Sequence, residues 1–316
     1  MKYCLGIDTS NYTTSSAVCR IEDMEVVSNS RKLLSVESGA KGLRQSDAVF
    51  QHIKALPEIV KGAAKCVASG DENVCISVSD RPSEQEGSYM PCFLAGVSAA
   101  ETAASAGGVE CYRFSHQAGH IAAALYSAGR MDYLNRNFLA FHVSGGTTQA
   151  LYVTPDEERI LKIECVGGSN DLKAGQAVDR IGGMLGLDFP AGPALERLAL
   201  NSKEVYNPRP IMKGETFSLS GLENMAAKMM KMEEKPEDIA RFTLDFIAVS
   251  IISCVEKLIE EFGKMPVVFA GGVMSNSIIR KRIESRFECA FAEPSFSSDN
   301  AAGIALLGAI SYLRGL

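Results

Sequence analysis

The sequence predicts an α/β fold made of two similar lobes. Three observations support it: strand-like and helical patterns alternate, one β-hairpin pattern occurs twice, and glycine pairs follow apolar strands. A length of 316 residues suggests two domains, at about 150 residues each. We expect an N-terminal lobe at residues 1–130 and a C-terminal lobe at 131–316, whose last helix could pack back on the first lobe.

The two hairpins share one order of strand, turn and returning strand. In the first, residues 3–9 are followed by a polar turn and by an alternating segment at 14–21. In the second, residues 138–143 are followed by a glycine turn and by a returning strand at 148–153. This likeness predicts an internal duplication, and the alternative is a chance resemblance of two β-hairpins.

The remaining segments follow helical or extended patterns in turn. Helices are expected at residues 46–68, 96–106, 174–185, 193–200, 222–232, 236–262 and 301–313. Strands are expected at 74–78 and 267–270, a linker at 128–137 and a loop at 80–91.

Composition excludes several classes of protein. Hydrophobic residues make up 46% of the chain, enough for a core and too many for a disordered protein. We find neither a signal-peptide pattern nor an uncharged apolar stretch of about 20 residues, so no membrane association is expected. The nine cysteines are scattered, without a CxxC pair, which is typical of a cytoplasmic protein. With a net charge of −6, contacts with RNA must be local or come from a partner.

Two glycine pairs are candidates for nucleotide binding. The first pair lies in the turn at residues 144–146, where backbone amides could face phosphate oxygens. The second pair, Gly271 and Gly272, follows a buried strand and is expected to open a helix whose N-terminus favours an anion. Each pair alone is also common in ordinary turns, but together with the duplication they favour a nucleotide.

A pair of histidines is the candidate for metal binding. His116 and His120 are four residues apart, which puts both imidazoles on one face of a helix. Asp299 is our choice for the third ligand that such a site requires. The alternatives are cap or core histidines, and for Asp299 a simple helix N-cap. Gln117 stands where a zinc protease of the HExxH type needs its glutamate, which argues against a protease.

Four further residues are candidates for chemistry. Asp8 and Ser10 end the opening strand, where the acid could meet a metal or a metal-bound water; an Asp that caps a turn is the alternative. Asp179 falls on a helix, where its carboxylate could accept hydrogen bonds from ribose hydroxyls, although a surface acid is common there. Gly192 lies in a proline-flanked turn that could approach the sugar.

The order of these motifs resembles the bacterial TsaD-type family of tRNA threonylcarbamoyladenosine transferases, formerly the O-sialoglycoprotein endopeptidase or glycoprotease family. The best matching block is G-L-D-F-P-A-G-P-A-L at residues 186–195. Further matching stretches, in the family's order, are residues 6–10, 116–120, 143–148, 175–198, 217–222, 271–276 and 299–302.

The resemblance implies the actin, Hsp70 and sugar-kinase (ASKHA) fold, with two ribonuclease-H-like lobes around a nucleotide cleft. It implies a divalent metal, iron or zinc, held by His116, His120 and Asp299. It implies transfer of threonylcarbamoyl from its adenylate to N6 of adenosine 37 in tRNA. The resident nucleotide would be threonylcarbamoyl-AMP or ATP, bound by Ser144, Gly145, Gly146, Asp179, Gly192 and Asn276.

The chain departs from the family pattern near the reacting group. The family's Cys-Asp-Glu run is replaced by residues 11–13, Asn-Tyr-Thr, and a histidine is replaced by Thr147. Ala118 replaces a glutamate between the metal histidines, and residues 79–91 lack the family's Gly-Pro-Gly turn. These departures are typical of a diverged paralogue.

Three hypotheses follow. The first is a transferase that acts on tRNA together with partner proteins. The second is a non-catalytic paralogue that binds nucleotide and metal and acts as a scaffold or as one half of a heterodimer. The third, a small-molecule kinase of the same fold, is supported by Asp8 alone. Basic residues that could contact tRNA phosphates are Lys228, Lys231, Arg280, Lys281, Arg282 and Arg286.

Overall fold

A computed structural model describes residues 1–10, 12–36, 43–297 and 299–316. Contacts divide the chain into two compact units. The first unit contains residues 1–135, 154–163 and 295–316, and the second contains 136–153 and 164–294. The C-terminal segment thus groups with the first unit. The predicted boundary between two lobes at residues 130 and 131 stays a prediction.

The described residues form two sheets and a set of helices. The strands are β1 (Lys2–Ser10), β2 (Thr13–Arg20), β3 (Val26–Leu33), β4 (Glu72–Arg81), β5 (Glu110–Ser115), β6 (Phe138–Val143), β7 (Thr148–Asp156), β8 (Ile160–Ser169), β9 (Ile211–Lys213), β10 (Thr216–Ser218), β11 (Val267–Ala270) and β12 (Cys289–Phe291). The α-helices are α1 (Gln45–Ala63), α2 (Phe93–Gly107), α3 (His116–Ser127), α4 (Ala174–Met184), α5 (Gly192–Ala199), α6 (Ser220–Lys231), α7 (Pro236–Phe262), α8 (Ser277–Glu284), α9 (Pro294–Ser297) and α10 (Ala302–Arg314). Short 3-10 helices occur at Ala64–Cys66, Met131–Asn135 and Gly272–Ser275.

The two sheets share one strand order. The first sheet has the order β3-β2-β1-β4-β5, in which β1 is antiparallel to β2 and parallel to β4. The second has the order β12-β11-β6-β7-β8-β10-β9, in which β6 is antiparallel to β7 and parallel to β11. The run β8-β7-β6-β11-β12 repeats the order of the first sheet, as an internal duplication predicts.

Helices cover both faces of the first sheet, so β1 is buried from Tyr3 to Ser10. Leu5 and Ile7 belong to one apolar cluster with Leu56 of α1, whereas Cys4 belongs to another with Ala305 of α10. Successive side chains of a strand point to opposite faces, and both faces here are apolar. The sequence of β1 is therefore apolar over most of its length and does not alternate between apolar and polar residues.

Helix α7 is the longest element of the second unit, and its predicted bounds are confirmed. It begins with Pro236 in the first turn and ends before Gly263, as proline and glycine favour at these positions. Fifteen of its residues are buried, which explains its apolar sequence. Nevertheless, no helix among the described residues is long and apolar enough to cross a membrane.

The predicted helix at residues 46–68 is α-helical only to Ala63, and two further predicted segments also differ from the structure. The expected linker at residues 128–137 contains the 3-10 helix Met131–Asn135, in which Tyr133 is fully buried. A helix does not open directly from Gly271 and Gly272, because a 3-10 turn intervenes before α8. In both places a tertiary contact or a short turn overrides the local pattern.

Candidate metal and nucleotide sites

Two histidines of α3 and the aspartate before α10 converge in the first unit. His116 Nε2 lies 3.5 Å and His120 Nε2 lies 3.2 Å from Asp299 Oδ1. One donor atom from each residue can be chosen so that all three lie within 4.8 Å of one another. Two imidazole nitrogens and a carboxylate oxygen form a donor set that zinc and iron(II) both accept. The residues present therefore fit the predicted metal.

The helix starts explain how these side chains are positioned. Ser115 caps α3, since its side chain accepts a hydrogen bond from the Ala118 amide at 3.1 Å. His116 is then the first residue of α3, and His120 follows on the same face. For Asp299 the N-cap alternative is wrong, because Asn300 Oδ1 accepts from the Ala302 amide at 3.0 Å.

Close packing of α3 against α10 depends on two glycines. A Cβ on Gly303 would lie 1.8 Å from the Gly119 carbonyl oxygen, and a Cβ on Gly119 would lie 2.8 Å from Ile304 Cδ1. The first distance excludes any side chain at Gly303, and the second would force the Ile304 side chain to shift. Gly119, which stands between the two histidines, thus admits α10 and helps to bring Asp299 to them.

We expect Gly303→Val to destabilise the first unit and to weaken metal binding. The added side chain would overlap the α3 backbone, which no rotamer can relieve, at a cost of about 3 kcal/mol or more. Thermal unfolding and metal content measure the two effects. Gly107→Val is the matched control, because a Cβ there meets only Val109 Cγ2 at 3.9 Å. Equal melting temperatures for the two variants would contradict the packing role.

Asp8 lies beside the metal candidates rather than in a turn, so the turn-cap alternative is wrong. It is fully buried in β1, where its Oδ1 accepts from the Ser79 hydroxyl and lies 3.0 Å from His116 Nδ1. A proton on Nδ1 held by Asp8 leaves Nε2 of His116 to face Asp299, as a metal ligand requires. Neither Asp8 Oδ2 nor the buried Ser10 hydroxyl has a hydrogen-bond partner among the described residues.

The charges around His116 are strongly coupled. Burial lowers the pKa of His116, but the Asp8 and Asp299 carboxylates outweigh it and raise that pKa to about 10. Burial raises the pKa of each carboxyl group, yet His116 lowers the pKa of both, with help from His120 at Asp299. Asp8 and Asp299 thus face the two nitrogens of His116, and two carboxylates so placed favour a cation here.

Two contacts of this cluster were not predicted. Ser79 donates to Asp8, and Thr13 Oγ1 donates to Asp299 Oδ2 at 3.4 Å. Thr13 is one of the departures from the family pattern, and here it holds the carboxylate of a predicted ligand. Asn11, the first of those departures, lies outside the described residues.

A cavity of about 470 Å³ in the second unit collects the predicted nucleotide residues. Gly145, Asp179, Gly192, Gly272 and Asn276 line it. Ser144, Gly146 and Gly271 lie in the same turns but are not among the described residues that line the cavity. Its volume and its apolar walls with a few polar groups are typical of small-molecule sites. The apolar part of the lining includes Val178, Phe189, Pro190, Leu244, Val273 and Ile279.

Backbone packing leaves open space beside the first glycine turn. A Cβ on Gly175 would lie 2.6 Å from Gly145 Cα, so only glycine lets α4 start against this turn. The Gly175 amide donates to the Ser144 carbonyl at 3.1 Å. By contrast, a Cβ on Gly145 would meet nothing within 4 Å. The side-chain space of Gly145 is therefore available to a ligand.

The start of α8 does not offer the expected anion site. Asn276 Oδ1 accepts from the Ile278 and Ile279 amides at 3.1 Å each, and Glu196 Oε1 accepts from the Ser277 amide at 2.7 Å. These three amides are already bonded, so the predicted role of the helix N-terminus is wrong. The segment instead offers the open side of Gly272 and the side-chain NH2 of Asn276.

Asp179 is a half-buried cavity residue rather than a surface acid. Its Oδ1 accepts from the Ala191 amide at 2.9 Å and so ties α4 to the residue before Gly192. Its second carboxylate oxygen could accept from a ligand hydroxyl. Glu196 and Phe189 also line the cavity, and neither was predicted, although both lie in the segment that the sequence singles out.

Comparison with known proteins gives a family match and a close relative. A family model described as TsaD, tRNA N6-adenosine threonylcarbamoyltransferase, matches residues 28–306. A curated tRNA N6-adenosine threonylcarbamoyltransferase from Thermosipho africanus (strain TCF52B) is 30% identical over 327 aligned residues. The alignment covers 99% of this chain and 95% of the relative.

Solved structures confirm the predicted actin, Hsp70 and sugar-kinase fold. HypF from T. kodakarensis has a TM-score of 0.63 at 16% identity, over 99% of this chain and 48% of HypF. Component A of the Acidaminococcus fermentans (R)-2-hydroxyglutaryl-CoA dehydratase has a TM-score of 0.57 at 13% identity, over 99% and 100%. A ROK family glucokinase from Streptomyces griseus has a TM-score of 0.53 at 10% identity, over 98% and 99%. At such identities the likeness shows the fold alone.

Proposed function

Because this chain belongs to the tRNA N6-adenosine threonylcarbamoyltransferase family, we propose that it transfers threonylcarbamoyl from threonylcarbamoyl-AMP to N6 of adenosine 37 in tRNA. The resemblance inferred from the motifs is confirmed at the level of the family. The observation that carries the proposal is the His116, His120 and Asp299 cluster, whose donor atoms lie within 4.8 Å of one another and could hold a metal ion.

The metal site would be held by the residues of the first unit. His116 and His120 would bind iron or zinc through Nε2, and Asp299 through a carboxylate oxygen. When bound, such an ion supplies Lewis-acid chemistry or anchors a phosphate. Asp8 would hold the Nδ1 proton of His116, and Thr13 would orient Asp299. Asp8 is fully buried and already contacts Ser79 and His116, so we assign it to orientation.

The nucleotide would be held by the residues of the second unit. Asp179 would accept hydrogen bonds from ribose hydroxyls with its second carboxylate oxygen, and the Asn276 NH2 would donate to the ligand. The open space beside Gly145 would admit the ligand close to the backbone. Fixing the donor nucleotide in this way lowers the barrier chiefly through positioning.

Partners are needed to complete the proposal. The chain has a net charge of −6, which disfavours long-range attraction of tRNA. We infer that tRNA binds through local basic residues and partner proteins, in the cytoplasm, and that a paralogous protein could form a heterodimer with this chain. The non-catalytic scaffold is not favoured by the family match.

Reconstitution tests the activity directly. Purified metal-loaded protein is mixed with pre-formed threonylcarbamoyl-AMP and unmodified tRNA, with and without partner proteins, and nucleosides are analysed by mass spectrometry. We expect a threonylcarbamoyl mass on adenosine 37 and none on the same tRNA with guanosine at position 37. Metal and nucleotide binding without product in any combination would leave the non-catalytic scaffold as the remaining hypothesis.

A further inference from the structure

An irregular segment of the second unit, residues 202–210, is held in place by one buried acid. Asp245 of α7 is fully buried, and its Oδ2 accepts from the Tyr206 amide at 2.8 Å. Arg282 bridges to the same place, since its NH1 lies 2.9 Å from Asp245 Oδ1 and donates to the Tyr206 carbonyl at 2.6 Å. Arg241 completes the network at 3.0 Å from Asp245 Oδ2.

Such a network indicates that the segment must keep one conformation. Burying a charged group is costly unless every partner is in place, and here the partners fix backbone atoms of a segment without regular secondary structure. Pro208 and Pro210 flank Arg209, which restricts the backbone on both sides of this residue. Arg209 is therefore presented in a preorganised way, although its own side chain is exposed.

Beside this segment lies a groove of about 490 Å³ with three guanidinium groups, those of Arg209, Arg282 and Arg286. Asp245 offsets the charge of Arg282, and Arg286 has one exposed partner, Glu256, at 3.5 Å. Arg209 has no acidic partner among the described residues. The groove also contains Asn207 and Ser253, whose side chains can donate hydrogen bonds, and Ser285, whose hydroxyl donates to the Arg282 carbonyl at 2.7 Å.

We propose that this groove binds a phosphate of the tRNA backbone, with Arg209 as the principal contact. The inference rests on the proposed function, because it names where that substrate is held. Arginine, serine and asparagine side chains are the usual partners of backbone phosphates. A free nucleotide is a poorer match, since sites for small phosphates commonly use glycine-turn amides and no glycine is among the described residues that line this groove. In an acidic chain, a local arginine groove supplies the contact that overall charge cannot.

Arg209→Gln tests the proposal, with Arg197→Gln as the matched control. Arg197 is an exposed arginine of α5 in the same unit, outside the groove, so the change of charge is identical. Binding of unmodified tRNA to the metal-loaded protein, with its partner proteins, is measured between about 50 and 200 mM salt. We expect Arg209→Gln to weaken binding about tenfold at low salt and to lower the slope of log K against log salt by about 1.

Other readouts separate this inference from the proposed function. AMP affinity and metal content should match the wild type in both variants, because neither arginine lines the nucleotide cavity or the metal cluster. If the wild type modifies tRNA while Arg209→Gln binds it as Arg197→Gln does, this inference alone fails. If the wild type neither binds nor modifies tRNA, the proposed function fails and the inference with it. Inorganic phosphate binding that needs Arg209, with unchanged tRNA affinity, would assign the groove to a free anion and overturn the proposal.

Discussion

His120→Ala should empty the metal site and leave the chain folded. His120 Nε2 lies 3.2 Å from Asp299 Oδ1, and its loss removes one of the three candidate ligands. Because a structural or catalytic ion of this class needs at least three protein ligands, affinity should fall by more than about 100-fold. Elemental analysis of the purified protein should show the loss, with an unchanged melting temperature.

His116→Ala should differ from His120→Ala in one informative respect. Removing His116 also leaves the buried Asp8 carboxylate without its charged partner. Ser79 is then its remaining partner in the cluster. An unpaired buried charge costs about 3 kcal/mol or more, so this variant should lose both metal and stability. His142→Ala, outside the cluster on β6, controls for the loss of any histidine. Wild-type metal content in His120→Ala would remove that ligand from the site.

The metal cluster shows how far local patterns reach. Spacing alone predicted that His116 and His120 share a helix face, because helical geometry depends only on neighbours. The contacts that orient them come from elsewhere in the chain: Asp8 is 108 residues before His116, and Thr13 is 286 residues before Asp299. Such neighbours depend on strand order and helix packing, which a single sequence does not display.

In the second unit, the prediction from local sequence patterns was partly wrong. The glycine pair at the end of β11 correctly marked the end of a strand, but the start of the next helix was wrong. Asn276 and Glu196 decide where α8 begins, and Glu196 lies 81 residues before Ser277. Likewise β3 has mostly exposed or half-buried side chains, so no apolar alternation marked it. Sequence patterns predict a strand well only where the strand packs against apolar neighbours and its own side chains are therefore apolar.

Gly145→Val should weaken nucleotide binding without harming the fold. The residue lines the cavity, and a Cβ there would meet no atom of the chain within 4 Å. The protein can therefore accept valine, but the added methyl groups would occupy space that we assign to the ligand. An overlap of this size costs about 1–3 kcal/mol, so AMP affinity should fall about 10- to 100-fold by calorimetry.

Two glycines of α4 provide comparison variants for Gly145→Val. At Gly183 a Cβ also meets nothing within 4 Å, but the residue lies outside the cavity lining, so Gly183→Val should bind AMP as the wild type does. At Gly175 a Cβ would lie 2.6 Å from Gly145 Cα, so Gly175→Val should lose stability as well as affinity. Wild-type AMP affinity in Gly145→Val would place the nucleotide elsewhere. If Gly145→Val instead weakens AMP affinity at an unchanged melting temperature, this turn is needed for ligand binding and not for folding.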